Sequence, residues 1–502
     1  MNTAGSTAFL NGKEATVNRK YDYILYDYLN WIRIRKQVSK LQNRIAKAVM
    51  NNKTRLRKRL SYMLRKSYYA RLLAVKKVSE NKGGKTPGID GEIWSTSKAK
   101  MKAVGLLKSN HYKSKPLKRI YIEKKGKKKK RPLSIPCMID RAVQALYALI
   151  LEPVSETTGD LHSYGFRKYR STKDACSYIK LCLQQKTSAT WVLEADIKGC
   201  FDNIDHDWLM EHIPLQKRIL TEFLKAKYKK GNKLFPTTAG VPQGGIISPI
   251  LANLTLDGLE DHIQNKYWRS KTGCINRQHN KHKVNLIRYA DDLIITADTK
   301  ETAIDLKSML SCFLQLRGLE LSEEKTKITN IKEGFNFLGW NFRKYNSNLK
   351  VQPSSESSRA IKTKIGVTVR KMSACTQEAL IGNLNPIIRG WGNYHDGVSS
   401  WRSFRKVDRY IFYALWQWAK RRHPMKSAKW LKDRYWVQIG SRGLVVRFAY
   451  CSPMHRNWIF STGKYNLKSI SSVKYKSHKL IKVNKNCFLV ENGEYYKNRK
   501  RA

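Results

Sequence analysis

Two adjacent carboxylates, Asp291 and Asp292, stand inside the otherwise strongly apolar stretch "IRYADDLIIT" at residues 287–296. Like charges side by side in an apolar setting repel each other and lose hydration, so a raised pKa or a bound cation is expected. Asp is also a common turn residue, and a polar hairpin tip would explain the pair without any chemistry. The pair alone leaves both interpretations open.

A third carboxylate, Asp196, lies at the end of "WVLEADI", residues 191–197, which has the pattern of a buried strand. A Gly-rich turn followed by a helix at 240–261, then the two strands around the Asp pair, a helix near 301–317 and a strand at 335–342 complete the pattern. This order predicts an α+β fold with an antiparallel sheet backed by helices. Three carboxylates can then converge on one edge of the sheet.

The charge balance indicates the kind of partner. The chain has 98 Lys and Arg against 38 Asp and Glu, a formal net charge of +60, spread over all 502 residues. Such a balance predicts a polyanionic partner. Because 41% of the residues are hydrophobic and 11% aromatic, folded domains are favoured over histone-like or disordered arms, and the length predicts two to four of them. A folded nucleic-acid-handling protein is expected.

Cysteine usage and hydropathy give an expectation about location. The nine cysteines are scattered and contain no CxxC pair, which favours a reduced compartment over a disulfide framework or a zinc site. The N-terminus lacks an apolar signal region, and no stretch approaches the ~20 apolar residues of a membrane span. We expect a soluble, intracellular protein without a membrane partner.

The remaining segments are helical or basic. Residues 30–80 have the spacing of amphipathic basic helices, and 140–190 are mainly helical. The run at 122–136, "IEKKGKKKKRPLSIP", predicts a basic hairpin whose tip could be merely solvated. Beyond 350 helices dominate, whereas Lys-rich short strands without a clear period are expected from 440 onward. One apolar stripe recurs at three- and four-residue steps, typical of a helix core: Trp401, Phe404, Val407, Ile411, Leu415 and Trp418.

Nine motifs occur in an order that resembles group II intron-encoded proteins, which are reverse transcriptases with a maturase domain. One YxDD motif is weak evidence, but nine in order are specific. They are "KTPGIDG", "KKKKRPLSIP", "SYGFRKYRS", "ADIKGCFDNIDH", "GVPQGGIISPILAN", "RYADD", "LELSEEKTKI", "FLGW" and "LNPIIRGWGNYH".

The resemblance implies a right-hand polymerase: fingers and a palm with an antiparallel sheet, followed by an α-helical thumb. It divides the chain into a basic N-terminal extension at 1–80 and reverse transcriptase fingers and palm at 81–350. A thumb/maturase domain follows at 351–440, and a small basic C-terminal region at 441–502 is a candidate for DNA binding.

The resemblance also assigns the three carboxylates a role. Joining a nucleotide to a 3′-hydroxyl can use two Mg²⁺ ions about 3.5–4 Å apart, and carboxylates are ligands that Mg²⁺ prefers. The resemblance implies that Asp196 and Asp291 coordinate the ions directly, helped by the backbone carbonyl of Ile197, while Asp292 lies closer to the primer end. The bound cations would then offset the repulsion between the carboxylates.

Several residues are implied to bind the dNTP. Phe201, five residues after Asp196, resembles the bulky ring that closes the space of a ribose 2′-hydroxyl, although an ordinary core Phe is the alternative. As a gate it would also disfavour an RNA-directed RNA polymerase. Lys124 and Arg131 match the positions that hold the triphosphate, as a point charge and a bidentate fork. Ala290 completes the expected dNTP contacts.

Three further residues are candidates from the same motifs. Gln243 in "PQGG" is expected to position the incoming nucleotide or the template base, with the glycines allowing close backbone approach. Arg170 is a substrate-side candidate, although "KY" before it departs from the small residues usual there. Lys325 matches the proposed general acid toward pyrophosphate, and a surface pair with Glu323 or Glu324 is the alternative.

The implied partners are the group II intron RNA as a lariat, target DNA and dNTPs, in bacterial cytoplasm or an organelle. Binding the RNA would promote its splicing, and copying it would complete its insertion into DNA. No HNH segment with paired CxxC motifs is present, so neither bound zinc nor second-strand cleavage is expected, and a nascent strand at a replication fork would serve as primer. The alternative is a free-standing reverse transcriptase, for example in host defence. The maturase-like helices, marked by "RGWGNYH" at 389–395, argue against it.

Overall fold

The computed structural model describes most of the chain. Lys124, expected to hold the triphosphate, lies outside the described residues. The described ranges are 26–108, 111–123, 130–231, 233–270, 272–438 and 458–501.

Helices make up most of the described structure. They are, in chain order, α1 (Trp31–Met50), α2 (Thr54–Lys66), α3 (Tyr68–Ser79), α4 (Ser97–Leu106), α5 (Met138–Thr158), α6 (Thr172–Leu183), α7 (Cys200–Asn203), α8 (His206–His212), α9 (Lys217–Leu224), α10 (Ser248–Leu256), α11 (Leu259–Tyr267), α12 (Lys300–Gln315), α13 (Ser355–Lys371), α14 (Gln377–Tyr394), α15 (Trp401–Arg422), α16 (Ala428–Tyr435) and α17 (Gly493–Arg501).

The strands form small sheets between these helices. They are β1 (Leu117–Ile122), β2 (Arg131–Ile135), β3 (Trp191–Asp196), β4 (Tyr228–Lys230), β5 (Lys233–Phe235), β6 (Asn285–Tyr289), β7 (Asp292–Ala297), β8 (Lys327–Asn330), β9 (Phe335–Phe337), β10 (Trp340–Tyr345), β11 (Asn348–Pro353), β12 (Trp436–Gln438) and β13 (Trp458–Phe460).

The N-terminal helices pack on the long helix α5. In α1 the apolar residues Ile34, Val38 and Ile45 are buried, and they join α3 and α5 in one hydrophobic cluster that continues into the central sheet. Basic residues occupy the other face of the helix, because apolar positions three or four residues apart fall on one side. The predicted basic amphipathic helices are confirmed.

The central sheet has the strand order β6-β7-β3-β8, and every neighbouring pair is antiparallel. Its two middle strands are apolar without alternation, with Leu193, Ile294 and Ile295 fully buried, because helices such as α6 and α12 cover the sheet. A second sheet, β2-β1-β4-β5, contains the predicted basic hairpin as β1 and β2. An antiparallel palm sheet backed by helices, as in right-hand polymerases, is therefore present.

Two segments differ from the predicted pattern because turns interrupt them. The single strand expected at 335–342 is a hairpin of β9 and β10, since Leu338 (φ +49°) and Gly339 (φ +82°) both adopt the left-handed conformation that a two-residue turn needs. The single helix expected after the Gly-rich turn is two helices, α10 and α11, which separate at Gly258 (φ +90°). Leu-Gly is not a usual turn signal, so the sequence did not reveal the hairpin.

The helical region beyond 350 has its own core, built from α13, α14, α15 and α16. Phe404, Val407, Ile411, Leu415 and Trp418 are buried there, as their spacing predicted, whereas Trp401 at the start of α15 is 51% exposed. No helix among the described residues is long and apolar enough to cross a membrane.

The described part of the C-terminal region is not made of short strands, as the sequence had indicated. In the described residues β13 pairs with β12 and one isolated bridge joins Ser461 to Asn466, while most of 461–492 is irregular backbone with short turns before α17. Phe488 and Leu489 pack against Ala46 of α1. The region is thus attached to the rest of the fold, and its predicted domain boundary stays a prediction.

Candidate active site

The strand register brings the three carboxylates to one end of the central sheet. Asp196, the last residue of β3, lies directly opposite Asp292, the first residue of β7. Asp291 belongs to the two-residue turn between β6 and β7, which Tyr289 and Asp292 close as a pair. Because directly opposite residues in antiparallel strands have Cβ atoms about 4.5–5.5 Å apart, Asp196 and Asp292 share one small space, and Asp291 adjoins it as the neighbour of Asp292 in the chain.

A neighbouring segment supports the turn from behind. Ala290 has a φ of +58°, a left-handed conformation that is uncommon for a non-glycine residue. Tyr164 N donates to the Arg288 carbonyl (2.8 Å), and Arg288 N donates to the His162 carbonyl (3.0 Å), so residues 162–165 extend along β6. A Cβ at Gly165 would lie 2.3 Å from Ala290 N. The turn that carries Asp291 is therefore in direct backbone contact with this segment.

The carboxylates repel one another. Loss of hydration, followed by the charges of Asp291 and Asp196, raises the pKa of Asp292 to about 6. The pKa of Asp291 is also raised, first by loss of hydration and then by Asp196, while Arg131 and Lys325 act in the opposite direction. The negative charge is only partly offset by these two cations, and a bound cation would relieve the repulsion that remains.

Lys325 lies beside Asp196 and not beside its neighbouring glutamates. Its ammonium group forms an ion pair with the Asp196 carboxylate. Ser322 N donates to the Asp196 carbonyl (2.8 Å) and Lys325 N donates to the Ser322 carbonyl (3.0 Å), which brings this turn to the end of β3. Glu323 instead pairs with Lys307. Lys325 therefore pairs with Asp196 in the structure, and not with Glu323 or Glu324, the alternative that the sequence had left open.

The donor chemistry fits a hard cation such as Mg²⁺, because the groups gathered here are all oxygen ligands. The buried side chain of Ile197 has no ligand atom, so this residue can contribute only its backbone carbonyl. Across the described ranges, no three His, Cys, Asp or Glu side chains converge closely enough to hold a metal by themselves. An ion at this place would therefore also need oxygens from the backbone or from the substrate.

Phe201 lies in the short helix α7 just after β3. Its ring is half-buried and meets the exposed Phe166 ring edge-on, with 6.3 Å between ring centroids. The Phe201 carbonyl accepts a hydrogen bond from Val241 N (2.7 Å), which joins α7 to the Gly-rich turn. A partly exposed ring near the carboxylates is compatible with the gate, and the gate stays a prediction.

Gln243 links the palm to the fingers. Its carbonyl accepts from Ser134 N of β2 (2.7 Å), and its side-chain amide donates to Asp202 (3.3 Å). Gly244 has a φ of +115°, and a Cβ there would lie 2.7 Å from the Ser134 carbonyl. Arg131 begins the same strand β2 and is exposed. The "PQGG" turn is thus attached to β2, the strand whose first residue, Arg131, lowers the pKa of Asp291 through its charge.

The structure does not bring Arg170 to the carboxylates. Its side chain is 1% exposed and pairs with Glu156 of α5 (3.0 Å), and it donates to the Leu161 carbonyl (2.7 Å). A guanidinium buried in this way is committed to its partners, because separating them would leave an unpaired buried charge. Arg170 stabilises the loop between α5 and α6.

The sequence did not indicate the role of Arg288, a further arginine that supports the site. Arg288 lies in "IRYADD", is fully buried, and pairs with Asp257 and with Asp160 (3.6 Å). It anchors β6 directly before the turn that carries Asp291. The signal was a single charge inside an apolar strand, which needs a buried partner.

Comparison with known protein families agrees with this geometry. Residues 26–107 match the N-terminal domain of reverse transcriptase, and residues 122–342 match reverse transcriptase (RNA-dependent DNA polymerase). Residues 358–436 match the group II intron maturase-specific domain. The carboxylates and Lys325 fall within the second match, and helices α13 to α15 fall largely within the third.

Named relatives extend the comparison. Group II intron-encoded protein LtrA of Lactococcus lactis subsp. cremoris is 33% identical over 341 residues, which cover 56% of each chain. Protein YkfC of Escherichia coli K12 is 30% identical over 341 residues, covering 60% of this chain and 87% of that one. The chain thus spans little more than half the length of the Lactococcus protein.

Telomerase structures are among the solved ones that overlap. Apo telomerase from Candida tropicalis aligns over 62% of this chain and 58% of its own, at 14% identity and a TM-score of 0.39. The fold assignment therefore rests on the strand order and on the family matches. The three domain matches follow the expected order, and the alignment with YkfC covers 87% of that protein. The chain therefore belongs to the family of group II intron-encoded reverse transcriptases that carry a maturase domain.

Proposed function

We propose that the protein is an RNA-directed DNA polymerase, which extends a DNA primer along an RNA template with dNTPs. The observation that carries this proposal is the register of β3 and β7, which brings Asp196 and Asp292 opposite each other beside Asp291. Arg131 and Lys325 supply positive charge that lowers the pKa of Asp291. This combination of clustered carboxylates and flanking cations suits the transfer of a nucleotidyl group from a dNTP to the primer hydroxyl, with pyrophosphate as the leaving group.

Asp196 and Asp291, with the Ile197 carbonyl, would hold two Mg²⁺ ions. When bound, these ions would favour the deprotonated primer hydroxyl and neutralise charge on the leaving pyrophosphate. Asp292, whose pKa is about 6, faces the same space and would lie toward the primer end.

The remaining side chains would bind and orient the nucleotide. Arg131 at the start of β2 is exposed and can form a bidentate contact with the triphosphate. Lys325 would release Asp196 as the substrate binds and donate a proton to the departing pyrophosphate. Ala290, in the turn between β6 and β7, and Gln243, where the Gly-rich turn meets β2, would both contact the incoming nucleotide. Lys124 is proposed as a second phosphate ligand.

Primer extension on an RNA template tests this proposal. Asp291→Asn should abolish synthesis, because it removes a predicted metal ligand. Lys325→Ala should slow the chemical step by about 10²- to 10⁴-fold, the usual range for a general acid. Asp305→Asn is the matched control, since Asp305 is a partly exposed acid of α12 that pairs with Lys266 and Tyr267.

The control should remain active. Equal losses in the Asp291 and Lys325 variants would contradict their separate roles, and full activity of Asp291→Asn would overturn the proposal.

We further propose that the same chain is a maturase, which binds its group II intron RNA and promotes splicing. The maturase-specific match at 358–436 carries this second function, together with the charge of +60. On α15 the exposed Trp401 ring lies 4.5 Å from the Arg405 guanidinium, an arrangement suited to stacking on an unpaired base beside a phosphate. The intron lariat, target DNA and dNTPs are the proposed partners, in bacterial cytoplasm or an organelle.

Splicing of the precursor RNA at low Mg²⁺ tests the maturase function. The protein should accelerate splicing of its own intron and leave an unrelated group II intron unaffected. Trp401→Ala should weaken RNA binding without changing the melting temperature. Trp418→Phe changes a buried ring of the same helix α15 and is the control, which should leave RNA binding unchanged. Equal acceleration of both introns would contradict the proposal.

A further inference from the structure

The end of the chain is bound to the polymerase palm through one buried carboxylate. Asp174, in the first turn of α6, is fully buried. It pairs with the Arg499 guanidinium and accepts from His478 Nε2 (3.0 Å) and from Ile481 N (3.0 Å). Three donors from residues 478–499, here named the C-terminal strap, thus satisfy one acid. A buried carboxylate is stable only when it is paired in this way.

The strap is also attached to the N-terminal helices. Glu491 pairs with Lys47 of α1 (3.3 Å), and Val490 N donates to the Asn43 side chain (3.2 Å). Asn486 donates to Thr157 of α5 (2.8 Å). The strap therefore runs from α6 across α5 to α1, and α17 then returns it to α6, where Arg499 meets Asp174.

Between these anchors the strap contacts the loop at 162–171, here named the support loop. The Tyr496 ring stacks on the Tyr169 ring at 4.7 Å, and the Lys168 ammonium lies 5.3 Å from the centroid of the Phe488 ring. Asp174 itself accepts from Ser171 N (2.9 Å) at the end of this loop. The acid that holds Arg499 therefore also holds the end of the support loop.

The other side of the support loop touches the candidate active site. Gly165 packs on the backbone of Ala290, and its carbonyl accepts from Asn253 of α10 (2.9 Å). Phe166 meets Phe201 edge-on. One loop thus connects the strap both to the turn that carries Asp291 and to the ring expected to select the sugar.

The support loop needs outside contacts to keep its shape. Phe166 (φ +57°) and Tyr169 (φ +62°) both adopt the left-handed conformation, which is costly for aromatic residues and persists only where the surroundings impose it. A cavity of about 330 Å³, lined by Phe166, Lys168 and Phe488 among others, lies beside the loop. Because that side is not fully packed, the strap supplies contacts that the core does not.

We propose that Arg499 and Asp174 are positioning residues for nucleotide addition, acting through the support loop on the Asp291 turn and on Phe201. This inference rests on the proposed polymerase function. It assigns the strap a role in the geometry of the active site, whereas the basic C-terminal region was expected from its sequence to bind DNA.

Kinetics of matched variants test the inference. Arg499→Ala removes the contact with Asp174, whereas Lys497→Ala removes the same charge from an exposed position of α17. The Arg499 variant should lose about 10- to 100-fold in kcat/KM for dNTPs, with a raised KM, since small misplacements near the reacting atoms have effects of this size. It should also discriminate less against rNTPs, through Phe166 and Phe201. Arg499→Lys should recover part of both losses.

Hydrogen exchange of the wild type and both variants gives a second readout that does not depend on activity. Faster exchange at 162–171 and 288–292 in Arg499→Ala, but not in Lys497→Ala, is expected. Unchanged exchange at these residues in Arg499→Ala would overturn the inference, whether or not the wild type is active. An inactive wild type would instead refute the proposed polymerase function. Two kinetic results would also overturn it: no loss in Arg499→Ala, or a loss of kcat with unchanged KM and discrimination. Equal losses of nucleic-acid affinity in both alanine variants would overturn it as well.

Discussion

At the residue scale, the site depends on acids that lie closer together than their charges favour. Asp196, Asp291 and Asp292 were predictable from the sequence, because carboxylates at the ends of apolar strands need a reason to be there. The pairing of Lys325 with Asp196 was not, since the acid and the lysine are 129 residues apart and the local glutamates were equally plausible partners. For Arg170 the expectation and the structure differ: its place in the motif suggested a contact with the substrate, but its side chain pairs with the buried Glu156.

Phe201 gives a prediction at this scale. Phe201→Ala should increase incorporation of ribonucleotides, because the ring would no longer fill the space of the 2′-hydroxyl. Incorporation of dNTPs on the same template is the internal control and should change much less. Competition between an rNTP and its dNTP in single-nucleotide extension measures the ratio. If rNTP incorporation stayed as poor as in the wild type, Phe201 would be an ordinary packing residue.

At the element scale, the strands and helices followed from apolar spacing, while their connections did not. The palm strands, the N-terminal helices and α15 were all predicted from periodicity. The hairpin at Leu338 and Gly339 was missed, and so was the support loop with Phe166 and Tyr169, because left-handed backbone at Leu, Phe or Tyr has no local sequence signal. Such conformations are imposed by tertiary contacts.

The contact between the support loop and the turn can be tested with one methyl group. Gly165→Ala would bring a Cβ to 2.3 Å from Ala290 N, so the turn or the loop must move. We expect primer extension to fall at least tenfold, because the turn carries Asp291. Gly382→Ala is the control: this glycine lies inside α14 with open space around its Cβ position, and alanine there should stabilise the fold by about 0.5–1 kcal/mol. Equal activity in the two variants would show that the loop does not constrain the turn.

At the scale of the whole molecule, the palm and the helical region meet through aromatic residues. The Trp340 ring of β10 stacks on Tyr394 of α14 at 4.6 Å, and Tyr394 donates to the Leu338 carbonyl (2.8 Å). His395 is fully buried beside them and is hydrogen-bonded to Ser357 (3.0 Å). The motifs "FLGW" and "RGWGNYH" were both found in the sequence, but their mutual contact, like that of the strap with α6, joins distant segments and was not predictable from spacing.

His395 gives this junction a dependence on pH. Burial, and then the charge of Lys173, lower the pKa of His395 to about 3 in the folded chain. In the unfolded chain the pKa is about 6.5, so between these values the unfolded state binds more protons and stability falls as pH falls. The loss from pH 7 to pH 5 should be about 2 kcal/mol.

Chemical denaturation at several pH values measures this loss. His395→Asn should show a smaller decrease in the free energy of unfolding over this range than the wild type. Replacement of the exposed His279 by Asn is the control and should leave the decrease unchanged. Parallel curves for the wild type and His395→Asn would contradict the assignment.

One chain is proposed both to bind a particular intron RNA and to copy it. The most direct test is to sequence the RNA that copurifies with the protein from its native host. We expect one excised group II intron lariat to dominate the reads. A diffuse mixture of cellular RNA would contradict the maturase role and favour a free-standing reverse transcriptase.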